Sequence, residues 1–263
     1  MRKLVTLAAA ALAWLGLAAA PPASAQTVDE IISRGTINIG VLVDIPPYAS
    51  LNEKQEPDGY DADVAKLLGR YLGVKVNLVQ LTAANRIPFL VTNKVDILVA
   101  TFGITPERAK QVLFSNPYSA IENVVFSKKG TAITKLADLK GKRVGVPRGG
   151  VQDVILTQAF GRDITVVRFD DSPSVYQAML TGQVDAIAET GLTGDKIFSE
   201  NPSAEVERKF VLLQQPNGIT MRKDQWNLRQ WLNTFLYFTK NNGELNALHE
   251  KWFGKALPAL PYL

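Results

Sequence analysis

Val95-Asp96-Ile97-Leu98-Val99-Ala100-Thr101, running on into Phe102-Gly103-Ile104-Thr105-Pro106-Glu107-Arg108, is the stretch that decides the fold. Its first seven residues are a near-continuous apolar run, as expected of a parallel strand buried on both faces. The next seven read as a strand-to-helix turn. Thr105 can cap, Pro106 suits the first helical position, and Arg108 falls in the first turn. A second copy of the strand lies 89 residues further on, Val184-Asp185-Ala186-Ile187-Ala188-Glu189-Thr190, again with a Thr five residues beyond the Asp.

Working outward, residues 36–43 are β-rich and read as a first strand. Asp61 is expected to cap a helix with Val64, Leu67, Leu68 and Tyr71 on one face, stopped by Gly73. Residues 74–81 alternate as a strand, and a short helix is expected over 86–92. The pattern then restarts. Residues 142–146 read as a strand, 147–150 as a tight loop, 151–160 as a helix and 164–169 as a strand. Ser172 and Pro173 open the next helix. Strands alternating with helices make βαβ units, so the fold class is α/β. The last third supplies a short strand (218–221), an amphipathic helix (228–240) with Trp231, Phe235 and Phe238 on its apolar side, and a final helix (241–254). These complete the first lobe, so the chain crosses between lobes near 119–122 and again near 214–217. Two crossings make a hinge, and hinged lobes make a cleft that can close on a ligand. The expected organisation is a leader (1–25), lobe 1 (26–120 with 216–263) and lobe 2 (121–215).

The leader is read from Arg2 and Lys3, the apolar run 4–20, and Ala23-Ser24-Ala25 before Gln26. This is the layout of a cleaved secretory signal peptide. No later segment is apolar enough to span a bilayer, and the missing lipobox cysteine points to a Gram-negative periplasm. The chain has 46% hydrophobic and 21% charged residues, which excludes wholesale disorder. A net charge of +4 without an aromatic-laced basic run gives no nucleic-acid surface. With no Cys and one His, disulfides, thiolate metal sites and a cysteine nucleophile are excluded, and no metal or cofactor is expected. There is no G-x-S-x-G elbow and no H-E-x-x-H. His249 reads as a surface residue, Trp226, Trp231 and Trp252 as helix-packing core, and Asp170-Asp171 as capping.

Two places suit an anion, since open α/β sheets bind ligands beyond the carboxyl ends of their strands. One is the turn ending in Arg108, whose planar fork matches a carboxylate bidentately. The other is Arg148-Gly149-Gly150-Val151-Gln152, where glycines and a helix N-terminus bring backbone N–H groups to a ligand. Its spacing matches no nucleotide motif.

Five segments, in this order and spacing, resemble a known family: GYDADVAKLLGRYLG (59–73), NRIPFLVTNKVDILVATFGITPERAKQVLFSNPY (85–118), LADLKGKRVGVPRGG (136–150), LTGQVDAIAE (180–189) and NNGELNALHEKWFG (241–254). They are similar to the periplasmic solute-binding proteins of polar amino-acid ABC importers (family 3). The resemblance implies a two-lobe, type II binding-protein fold hinged by two crossing strands, closure over one small ligand, and delivery to an inner-membrane ABC permease. Carried over by position, it implies that Arg108 clamps the ligand α-carboxylate, with the backbone around Thr101 and Gly103 holding the α-groups and the N–H groups of Gly150 and Val151 completing the site. Arg86 corresponds either to an Arg that binds a side-chain carboxylate or to a structural Arg beside the hinge. The family's usual ammonium-pairing Asp is Thr190 here. Glu189 precedes it, and strand alternation is expected to point Glu189 away. Ile45 and Ala83 replace the aromatics that often sandwich the side chain, which argues against a flat cationic ligand. The resulting expectation is a monomeric, non-enzymatic periplasmic receptor for a polar, acidic amino acid, without cofactor. The alternatives are a carboxylate ligand lacking the α-amino group, and a periplasmic enzyme resembling cyclohexadienyl dehydratase.

Overall fold

The computed structural model describes residues 28–263. The leader expected at 1–25 lies outside the described residues. The first half runs α1 (Val28–Arg34), β1 (Thr36–Val41), β2 (Ser50–Leu51), β3 (Pro57–Asp58), α2 (Tyr60–Leu72), β4 (Lys75–Gln80), α3 (Arg86–Val91), β5 (Ile97–Leu98), α4 (Pro106–Ala109) and β6 (Val112–Lys128). The second runs β7 (Arg143–Pro147), α5 (Val151–Phe160), β8 (Thr165–Phe169), α6 (Ser172–Leu180), β9 (Ala186–Thr190), α7 (Gly191–Glu200), β10 (Val206–Arg222), α8 (Trp226–Asn241) and α9 (Glu244–Phe253).

Eight strands form one sheet in the order β4-β1-β5-β10-β6-β9-β7-β8. The three strands at each end are parallel among themselves, as βαβ crossovers require. Between them lie β6 and β10, each 17 residues long and paired antiparallel along their length. The segment 95–101 is buried as expected, with Val95, Ile97, Leu98, Val99 and Ala100 fully covered, although only Ile97–Leu98 joins the ladder.

The two copies of the deciding strand are equivalent in bonding as well as in sequence. Asp96 accepts the Asn38 N–H (2.8 Å) and pairs with Arg34 (2.6 Å). Asp185 accepts the Arg143 N–H (2.8 Å) and pairs with the Arg143 guanidinium (2.9 Å). Each Asp therefore ties the start of its strand to the neighbouring first strand. The apolar residues fall into separate clusters. One, built from Ile37, Leu68, Ile97, Phe114, Ile219 and Leu232 among others, draws on both ends of the chain. Two more, around Val175 and Ile187 and around Val144 and Leu156, come from the middle of the chain and cover opposite sides of its sheet.

Several local expectations are corrected. Gly59 is the cap of α2, while Asp61 lies inside the helix and is fully buried. Tyr71 and Phe238, placed on apolar faces, are exposed and pack edge-on against each other. Asp171, not Ser172, caps α6, accepting the Ser174 N–H at 2.8 Å. Trp226 is exposed at the start of α8 with Arg229 over its ring, while Trp231 and Trp252 are half-buried. His249 is buried: its ring packs on Phe253 and Tyr60, and its Nδ1 bonds the Lys255 carbonyl at 2.7 Å. A polar residue on a helix reads as exposed unless the chain beyond the helix is known to fold back over it, and residues 255–257 do so here.

Candidate functional site

The carboxyl ends of β1, β5, β7 and β9 open onto one cleft. Eight of the nine residues expected at the site line it: Ile45, Arg86, Thr101, Arg108, Gly150, Val151, Glu189 and Thr190. Gly103 does not. Its carbonyl instead accepts Arg108 Nη1 at 2.8 Å, and a Cβ there would meet Gln215 Cδ at 2.5 Å.

Local chemistry sets each side chain. Thr105 caps α4, its Oγ1 accepting the Arg108 N–H at 3.2 Å with Pro106 following, so the Arg108 side chain is aimed at the cleft floor. Thr101 takes a left-handed φ of +43°. Its N–H donates to Tyr118 Oη (3.1 Å), which in turn donates to Asp61 Oδ1 (2.8 Å). Burial pushes the Asp61 carboxyl up to about 8, and its Oδ2 has no partner. This buried chain of bonds, not a loop side chain, fixes the cleft backbone at Thr101.

Arg86 and Arg108 are both buried, and both lie over the Phe102 ring at 4.5 and 4.2 Å. Among the described residues all their hydrogen bonds end on backbone carbonyls. Arg86 donates to Ala83, Ala100, Thr101 and Gly149, and Arg108 to Gly103 and Gly149. Burial lowers the pKa of both, and for Arg108 the neighbouring Arg86 charge lowers it further. Among the described residues neither guanidinium has a carboxylate within ion-pair distance, and Asp44, which shares the lining, acts on Arg86 only from further off.

The opposite wall comes from the middle of the chain. Gly149 has φ +74°, and a Cβ there would stand 3.2 Å from Ala84 Cα, so glycine is required where the two walls touch. Gly150 caps α5, with its own N–H bonded to the Pro147 carbonyl (3.0 Å). Further bonds cross the cleft: Ser172 N–H to Asp44 Oδ2 (3.2 Å) and Thr193 Oγ1 to the Pro46 carbonyl (2.6 Å).

Glu189 corrects the expectation drawn from alternation. It is buried and lines the cleft together with Thr190, because the strand turns into α7 at Thr190 and strict alternation ends there. Its Oε2 accepts the Thr190 N–H (2.8 Å), its Oε1 has no partner, and burial pushes its carboxyl up to about 7. Sequence reading also missed Asp44, Ser172, Asn123 and Gln215, which share the lining. Asp44 lies three residues beyond the end of β1, so the carboxyl-end rule applied to every strand would have found it. Asn123 and Gln215 lie inside long strands, where no motif marks them.

A profile of the "Bacterial extracellular solute-binding proteins, family 3" matches residues 37–255. Over 230 residues the chain is 29% identical to the L-cystine-binding protein TcyJ of Escherichia coli (strain K12), covering 86% of each chain. It is 30% identical over 221 residues to the ABC transporter arginine-binding protein 1 of the same strain, covering 82% of this chain and 90% of that one. Among solved structures, the solute receptor for L-cysteine of Neisseria gonorrhoeae superposes with a TM-score of 0.79 at 31% identity, covering 86% of this chain and 93% of the other. The fold is that of the type II binding proteins. Motif order, sheet topology and a cleft at the strand ends thus agree with the profile, and the chain belongs to the bacterial extracellular solute-binding proteins, family 3.

Proposed function

We propose that this protein is the extracytoplasmic receptor of an amino-acid ABC importer, taking an acidic amino acid such as glutamate or aspartate and passing it to a membrane permease. The observation that carries the acidic reading is the pair of buried arginines, Arg86 and Arg108, satisfied only by backbone carbonyls. One ligand carboxylate per guanidinium restores the missing counter-charges, each through charge-assisted bonds worth about 1.5–3 kcal/mol. A cationic side chain such as that of arginine would meet two like charges there, so this chain departs from its arginine-binding relative in ligand choice. Micromolar affinity needs about 8 kcal/mol in all, within reach of two such clamps plus lobe closure.

In this reading lobe 1 is 26–120 with 216–263, lobe 2 is 121–215, Arg108 holds the α-carboxylate, and Arg86 holds the side-chain carboxylate. Residues 1–25 direct export and are removed, and the mature receptor works as a monomer in the periplasm. Among the described residues no helix is long and apolar enough to cross a membrane.

A thermal-shift panel tests the ligand class: glutamate, aspartate, glutamine, cystine, histidine and arginine, each at high excess. A true ligand at 100 times its Kd stabilises by about 2.7 kcal/mol. Shifts with glutamate or aspartate are expected. Shifts with arginine or histidine alone would refute the acidic reading.

A further inference from the structure

Gln215 belongs to the crossing strand β10, yet its side chain is spent on the cleft floor. Its Nε2 donates to the Thr101 carbonyl (3.2 Å) and to Asn217 Oδ1 (2.6 Å), and its Oε1 accepts from Asn123 Nδ2 (3.1 Å). Both N–H bonds of the amide are in use, so none is left for a ligand. The Thr101 carbonyl fixes which way the amide faces, because a flipped amide would set oxygen against oxygen there. Room for it comes from Gly103, where a Cβ would stand 2.5 Å from Gln215 Cδ. Two backbone bonds clip the same loop to the strand, Ile104 N–H to the Pro216 carbonyl and Gly218 N–H to the Phe102 carbonyl, both at 3.2 Å.

The Thr101 carbonyl has a second donor, Arg86. That guanidinium gives Nε to Ala83 (2.9 Å), Nη1 to Ala100 (3.1 Å) and Thr101 (3.4 Å), and Nη2 to Gly149 (3.1 Å), so one of its five N–H bonds stays open. A bidentate hold on a carboxylate takes two. The bond to Thr101 is the longest of the four and the one to yield. Thr101 is buried, and its carbonyl left bare would weaken any complex that needed the exchange. We infer that Gln215 is a positioning residue for Arg86: by keeping the Thr101 carbonyl satisfied, it releases a second Arg86 N–H to a carboxylate on the ligand side chain, and so selects a carboxylate over an amide. This rests on the reading of the cleft as a site for an acidic amino acid with Arg86 at its side chain. A side-chain amide accepts a single N–H from Arg86, the one already open, and does not draw on Gln215.

The test is titration calorimetry with glutamate and glutamine on the wild type, Gln215→Met and Asn123→Ala, with a urea midpoint for each. The wild type should bind glutamate more tightly. Gln215→Met keeps the length and loses the donors, and should lower glutamate affinity roughly tenfold more than glutamine affinity. Asn123→Ala loosens the amide without removing its donors, and should shift the same ratio by roughly threefold. In an Arg86→Lys background, which has no fork, Gln215→Met should leave the ratio where it stands. A merely structural role would weaken both ligands alike. Equal losses, or an unmoved ratio in Gln215→Met, would overturn the inference and leave the acidic reading intact. Should Gln215→Met fail to fold, the ratio in Asn123→Ala decides on the same terms. A wild type that prefers glutamine, or binds neither ligand, would refute the acidic reading, and the inference falls with it.

Discussion

Arg108 is the residue on which the cleft's electrostatics turn. It shares the Phe102 ring and the Gly149 carbonyl with Arg86, and its fork is oriented by a cap three residues upstream. In the proposed clamp role, Arg108→Ala removes an interaction worth about 1.5–3 kcal/mol, so glutamate affinity should drop by about one to two orders of magnitude in calorimetry. Arg108→Lys should recover little of it, since an ammonium cannot reproduce the fork. This residue was legible in the sequence because Thr105-Pro106 fixes where the helix starts. Glu189 was legible as a candidate but not in its direction, which depends on the strand ending at Thr190. Asp61 was misread outright. As a buried carboxyl with its pKa raised to about 8, it is protonated in the fold at neutral pH and ionised in the unfolded chain. The folded state thus holds the extra proton between pH 3.8 and about 8, and stability falls as pH rises through that window. Asp61→Asn should flatten that part of the decline, measured by calorimetric Tm across pH 4 to 8.

At the scale of elements, the repeat seen in the sequence is a repeat in bonding. Asp96 and Asp185 each anchor a strand by accepting a backbone N–H and an arginine. Asp96→Ala leaves the Asn38 N–H without its acceptor and should cost about 1–3 kcal/mol in urea denaturation. The loop before α5 behaves differently. Gly149→Ala forces a side chain onto a φ of +74° and against Ala84. It should therefore weaken ligand binding, which needs the walls together, far more than it lowers the urea midpoint. Strand-helix alternation and most apolar faces were legible because periodicity reports burial directly. The lengths of β6 and β10 were not. Ser119, Asn123, Gln215 and Asn217 interrupt the hydrophobic pattern, so the crossings near 119–122 and 214–217 carried no sign of how far each strand extends. In the fold they satisfy one another across the two strands, Asn123 with Gln215, Gln215 with Asn217 and Asn217 with Ser119, so polar residues sit inside continuous ladders.

For the whole molecule, contacts across the cleft place the two walls in a closed arrangement. Asp44 meets Ser172, Pro46 meets Thr193, and both arginines meet Gly149. Small-angle X-ray scattering should show a smaller radius of gyration with saturating glutamate than without, and identical curves would mean that binding does not move the lobes. Thr193→Val, which removes the bond to Pro46, should weaken affinity without changing which ligand is preferred, as calorimetry against the same panel would show.

The register between β6 and β10 slips at Arg208–Phe210 and Val211–Leu213 on one side, and around Gly218 on the other. Between those slips Leu213–Asn217 face 119–123 without a break. Bending strain collects at irregular rungs, so this short panel should travel as a rigid plate with a flexure at each end, like the middle board of a folding screen. Ile121, Asn123 and Gln215 ride on that plate and also form part of the cleft wall. That stretch of wall would then stand between two joints, and the parts of the molecule on either side of it could each swing on their own.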